Sequence, residues 1–203
     1  MDFIETFFNE GIEILKTISR PSVQGIVDIL SAARASEGRV FVLGVGGSAA
    51  TASHVVNDLR KIAHLEAYCA TDNVAELTAR TNDEGWDSCF AGWLQGNHLK
   101  SKDVIFVLSV GGGDAEKNIS PNLVKALDFA KQAGARIVGI VGRTGGYTAT
   151  CAHACVIVPT VNADHVTPHT ESFHSVVGHA IVTHPDLKAE QTKWESATGG
   201  KKY

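Results

Sequence analysis

His54 and Asp58 stand four residues apart, just behind the glycine-rich turn Gly44-Val45-Gly46-Gly47-Ser48. An imidazole and a carboxylate at i and i+4 share one helix face, where they can ligate half a metal site or pass a proton. Taken alone, the pair fits a surface His–Asp contact better. The turn ahead of it offers two glycine N–H groups and the Ser48 hydroxyl, so Gly46, Gly47 and Ser48 form a cradle suited to one phosphate. Gly44-x-Gly46-x-x-Ala49 also fits a dinucleotide fingerprint, with Glu66 near the position of a ribose-binding acid. Two helices precede the strand that leads into this turn, which argues against that reading.

A second small-residue turn, Ser109-Val110-Gly111-Gly112-Gly113-Asp114, would let a ligand approach the backbone, or would simply be a tight strand-to-helix connection. Asp114 suits phosphate poorly unless it faces sugar hydroxyls or a metal. Five of the nine histidines fall between His165 and His184, at spacings of four and five. Those spacings do not keep one helical face, so most of the five read as polar surface or interface residues. His179 differs: Phe173, Val176, Val177, Ala180 and Ile181 surround it in sequence and predict a buried neighbourhood. A buried histidine is either satisfied within the core or has a function.

The elements that would position these residues alternate. Apolar spacing predicts an amphipathic helix over 3–18 and, after Pro21-Ser22, a second over 23–36 closed by Gly38. Strands are predicted at 40–44, 67–70, 103–110, 136–141 and 156–159. Helices are predicted at 48–63, at 122–133 with Ser120 as N-cap and Gly134 as terminator, and over about 167–184. Residues 71–93 read as polar with short helical pieces. Strand–helix alternation implies an α/β three-layer, doubly wound sandwich with a mainly parallel five-stranded sheet. Its ligands belong at the carboxyl ends of the strands, where the turns 44–48, 109–113 and 142–146 lie. We divide the chain into an N-terminal helical extension (1–37) packing on the core or a neighbouring subunit, a main domain (38–186) and a tail (187–203).

Composition excludes other classes. A net charge of −4 gives no footprint for nucleic acid. No apolar run is long enough for a membrane span. The four cysteines form no C-x-x-C pair or disulfide framework, and the acidic start carries no leader signature. A reduced, cytoplasmic protein is expected.

In order, these motifs resemble the sugar isomerase (SIS) domain family, and within it the phosphoheptose isomerase branch. That branch carries G-N-G-G-S, then H-x-x-x-E on a helix, an Asn-Asp pair in a middle loop, S-T-S-G-N-S, and a late Gln with His eight residues on. The matching residues here are Gly44–Ser48, His54 with Asp58, Asn82-Asp83, Ser109–Asp114, and Glu171 with His179. The chain departs from the pattern at Val45 for Asn, Asp58 for Glu, Glu171 for Gln, and S-V-G-G-G-D for the serine-rich loop.

The resemblance implies a sugar-phosphate isomerase acting on sedoheptulose 7-phosphate, assembled as a homotetramer with sites between subunits. It further implies a zinc ion held by His54, Asp58, Glu171 and His179, and substrate contacts from Gly46, Gly47, Ser48, Asn82, Asp83, Ser109, Gly111, Asp114 and Glu171. Aldose–ketose isomerisation through an enediol needs a base and an acid, for which Asp58 and His179 are expected. A shorter Asp in place of Glu either spoils the reach of the base or leaves the residue a ligand only. A non-catalytic SIS sugar-phosphate sensor or regulator, or an isomerase of another sugar phosphate, are the alternatives. Eight residues of helix rise about 12 Å, so Glu171 and His179 cannot both reach one ion from a single straight helix. Either Glu171 precedes the helix or the site joins subunits.

Overall fold

A computed structural model describes residues 2–193 and 195. Five strands, β1 (Val40–Leu43), β2 (Ala67–Cys69), β3 (Val104–Ser109), β4 (Arg136–Val141) and β5 (Ala154–Ile157), form one parallel sheet in the order β2-β1-β3-β4-β5. The order reverses between β1 and β3, which pair with Leu43 opposite Val107. This places the crevice of a doubly wound sheet between the Gly44 and Ser109 turns.

Both faces of the sheet are covered, so the strands are apolar on both sides. Val40 and Val42 join one core with Phe106, Leu108, Val138 and Ile140, while Phe41 and Leu43 join the other with Ile105, Val107 and Ile137. The first core is roofed by α2 (Arg20–Ala35), α3 (Gly47–Lys61) and α8 (Val166–Val182), with Ile14 of α1 (Phe3–Thr17) added at its rim. The second is roofed by α5 (Cys89–Gly96) and α6 (Pro121–Ala133), flanked by α4 (Val74–Glu84) and α7 (Gly146–Cys151). Ile26, Val27, Leu30 and Ala33 bury the face of α2 completely or nearly so, which makes α2 an integral part of the first layer. α1 differs: Phe3, Ile4, Phe8, Ile12 and Leu15 are exposed.

Several boundaries move. α2 starts at Arg20, capped by the Ser19 side chain, three residues ahead of the expected start. β5 begins at Ala154 instead of 156. Ser120 precedes α6 but adopts a left-handed conformation and caps nothing with its side chain; Gly134 ends α6 as expected. The turn at 142–146 opens into α7, a helix the sequence reading left out. Of the tail, Leu187 is buried, and the N–H groups of Ala189 and Glu190 donate to Ile62 O; residues 194 and 196–203 lie outside the described residues. No helix among the described residues is long and apolar enough to cross a membrane. Cys69, Cys89, Cys151 and Cys155 are free thiols, and burial pushes Cys155 up to about 12.

Candidate active site

α3 leaves the Gly44 turn with Gly46 as its N-cap (φ 63°) and no side chain capping its first N–H groups. Ser48 is buried in that first turn. Seven residues beyond Gly47 comes His54, then Asp58 one turn later. α8 packs along α3 in the same direction, and Gly178 lets it approach Val55 closely. Equal positions along the two helices therefore meet. His179 reaches His54, with Nε2 to Nε2 2.9 Å, and its Nε2 lies 3.4 Å from Asp58 Oδ2. His54 Nε2 lies 3.3 Å from the same oxygen. Asp58 Oδ1 accepts from Asn57 Nδ2. Three ligand atoms thus sit at the corners of a small triangle. Zinc–nitrogen and zinc–oxygen bonds near 2.0–2.1 Å would set tetrahedral edges of roughly 3.3 Å, so this donor set fits a zinc ion.

Two expectations need correction here. His179 is not buried: its side chain is 55% exposed and that of His54 50%, whereas Asp58 is nearly covered at 10%. The buried stripe of α8 is Phe173, His174, Val177, Gly178, Ile181 and Val182, and His179 lies beside it. Two histidines of α8 are buried instead, His169 and His174; His174 is fully enclosed with neither ring nitrogen hydrogen-bonded. Burial pushes it down to about 4, only partly opposed by the nearby Ile140 and Ser109 backbone, so it is neutral.

Glu171 is the second correction. It lies inside α8, with Pro168 accommodated in the first turn, so it does not precede the helix. Two turns of helix keep its carboxylate out of the three-residue cluster. It lies instead against Gly47, where a Cβ would stand 2.6 Å from its carboxyl carbon and both oxygens. Gly47 therefore makes room for an acid at the start of α3, an end that favours negative charge. His54, Asp58 and His179, by contrast, come together within one chain.

The Ser109 turn is built of main-chain contacts. Ser109 Oγ accepts from Gly112 N at 3.0 Å. Gly112 has φ 71°, and a Cβ there would collide with Gly145 O, so only glycine fits. Gly111 has open space around its Cα. Asp114 turns away into its own loop: its Oδ1 accepts from Glu116 N and Lys117 N, and its backbone pairs with Ile119. Those contacts, led by Lys117 N–H, hold its carboxyl below the usual range. Asn82 and Asp83 sit exposed at the end of α4, bonded to each other at 2.8 Å, and Asp83 is not among the acids gathered with His54.

The sequence reading missed a second convergence of metal-type side chains, Glu10 with His165 and His169. The only available signal was His-x-x-x-His, the i, i+4 spacing that places two imidazoles on one face.

The SIS domain model matches residues 6–142. A phosphoheptose isomerase of Rhodospirillum rubrum is 31% identical over 166 residues, 79% of this chain and 82% of its own. One of Syntrophotalea carbinolica is 32% identical over 186 residues, covering 87% and 88%. In structure, phosphoheptose isomerase from Neisseria gonorrhoeae superposes with a TM-score of 0.77 at 23% identity, covering 88% of this chain and 95% of that one. The chain belongs to the SIS domain family. Within it, the sequence groups with the phosphoheptose isomerases, and the protein is an isomerase of that branch.

Proposed function

We propose that this chain interconverts sedoheptulose 7-phosphate and the corresponding aldoheptose 7-phosphate, with zinc assisting. The convergence of His54, Asp58 and His179 behind an uncapped, glycine-built helix start carries the reading. Seven residues of α3 separate Gly47 from His54, about 10 Å of helix. An open-chain seven-carbon sugar with phosphate at one end and carbonyl at the other spans a gap of that order. Its phosphate would lie against Gly46, Gly47, Ser48 and the Ser109 turn, and its reacting carbons beside Asp58 and His179.

Asp58 is the base: it takes the proton from the ketose C1 and returns it to C2, leaving an enediol between the two transfers. Oδ1, which also accepts from Asn57 Nδ2, is the oxygen that serves here, since Oδ2 faces the two imidazoles. His179 moves the accompanying proton between the two substrate oxygens through Nδ1, since its Nε2 faces His54 and Asp58. A zinc ion held by His54, Asp58 and His179 would polarise the carbonyl as a Lewis acid. Glu171, beside Gly47, contacts substrate rather than metal. The exposed face of α1, with Phe3, Ile4, Phe8 and Ile12, is the surface through which four chains assemble.

Metal analysis of the purified protein, paired with an isomerase assay on sedoheptulose 7-phosphate, tests this. Zinc and turnover together are expected; absence of both sinks the enzymatic reading. The Ser109 turn favours one alternative, a different sugar phosphate, because Ser109 Oγ already accepts from Gly112 N and Asp114 is tied into its own turn. A kcat/KM series over pentose, hexose and heptose phosphates separates the two.

A further inference from the structure

Helix α1 meets the start of α8 through a compact polar cluster. Glu10 Oε2 lies 2.8 Å from His165 Nδ1 and 2.7 Å from His169 Nε2. All three ligand atoms lie within 4.8 Å of one another. The side chains are well covered, with exposures of 11% for Glu10, 20% for His165 and 6% for His169. Outer contacts fix them in place. Asn162 Nδ2 donates to Glu10 Oε1 at 2.7 Å, and Asn162 Oδ1 accepts from Asp164 N. The Phe7 ring stacks on His169 at 4.3 Å, and Phe3 and Phe7 each meet the His165 ring at 5.5 Å.

Hydrogen bonding alone serves this arrangement poorly. Both imidazole nitrogens aim at one carboxylate oxygen, while the other oxygen takes only Asn162. His165 Nδ1 also stands 3.2 Å from the Asn162 amide donor. As an N–H it faces that donor; as a lone pair it faces a carboxylate oxygen. A cation between the three ligand atoms removes the conflict, because both lone pairs and the carboxylate then point at positive charge. Opening the two short separations, 2.8 and 2.7 Å, by about half an ångström reaches the tetrahedral edge of roughly 3.3 Å.

We propose that Glu10, His165 and His169 form a second divalent-metal site, distinct from the His54 cluster, that fastens α1 to α8. Two imidazoles and a carboxylate suit zinc, with water in the fourth position. Asn162 orients the carboxylate through its free oxygen, the usual task of a neighbour to a metal ligand.

Zinc binding to the chelator-stripped full chain is measured by equilibrium dialysis in a His54→Gln/His179→Gln background, which removes the first cluster. One equivalent per chain is expected there, with a cobalt absorption band when cobalt replaces zinc. Adding Glu10→Gln should abolish both. No zinc in the background variant with native circular dichroism overturns the proposal, and so does an equivalent that survives Glu10→Gln. If Glu10→Gln fails to fold, His165→Ala decides, since it keeps the Glu10–His169 contact and the Phe7 stack. At least tenfold weaker binding supports the site and unchanged binding refutes it. Failure of the isomerase reading leaves this result untouched, because the His54 cluster is absent from every arm.

Discussion

His179 carries its imidazole on a half-open surface, so removing it should cost activity and little else. His179→Gln is expected to lower turnover by roughly 10²–10⁴-fold, the usual weight of an acid–base group. Its melting temperature should match that of the unmodified protein, and an inactive variant that also melts early would point to a structural role instead. Glu171 invites the opposite result. Its charge stands where the substrate phosphate is proposed to dock, so Glu171→Gln should lower KM severalfold with kcat little changed, read from steady-state kinetics. The His54–Asp58 spacing was legible in the sequence because helix periodicity alone sets it. The exposure of His179 was not, because its apolar neighbours bury the adjacent stripe of α8. Glu10 was invisible for another reason: its partners lie 152 to 159 residues away.

Strands and helices set the distances between those residues, and the junction of β1 with β3 anchors the frame. Asp103, fully buried, accepts from the Arg39 side chain and from the N–H groups of Arg39 and Lys100. Burial alone would raise its carboxyl, but these donors outweigh burial and hold it below the ordinary value. Asp103→Ala leaves Arg39 and two N–H groups without their acceptor, and should cost about 3 kcal/mol in urea unfolding. An unchanged midpoint would show that water replaces the carboxylate. The alternation of apolar strands and amphipathic helices revealed the layered sheet, because each face of each strand must be buried. It could not reveal that Ser120 fails as a cap: a Ser-Pro pair reads as a helix start whatever conformation its serine adopts. Nor could periodicity show α7, whose six residues span under two turns.

Across the whole molecule, neutral His174 in the core ties stability to pH. Its folded value near 4 lies below the ordinary 6.5. The unfolded chain thus binds the extra proton first, and stability present above pH 6.5 is lost as pH falls toward 4. Between pH 7 and 5 the loss should be about 2 kcal/mol, measured by urea denaturation, and His174→Leu should flatten that slope. Assembly is tested at the same scale. Sedimentation of the 21.5-kDa chain should report four copies, and Ile4→Glu with Phe8→Glu should shift it to smaller species. A four-copy mass that survives both substitutions places the interface elsewhere. The attachment of α1 has a consequence in time. Its polar partners, Asn162, His165 and His169, are made last, so a growing chain has nowhere to seat this helix until some 160 residues later. At 5–20 residues per second that is roughly ten to thirty seconds, during which Phe7 and Ile14, which the seated helix covers, stay open to chaperones or to a neighbouring nascent chain.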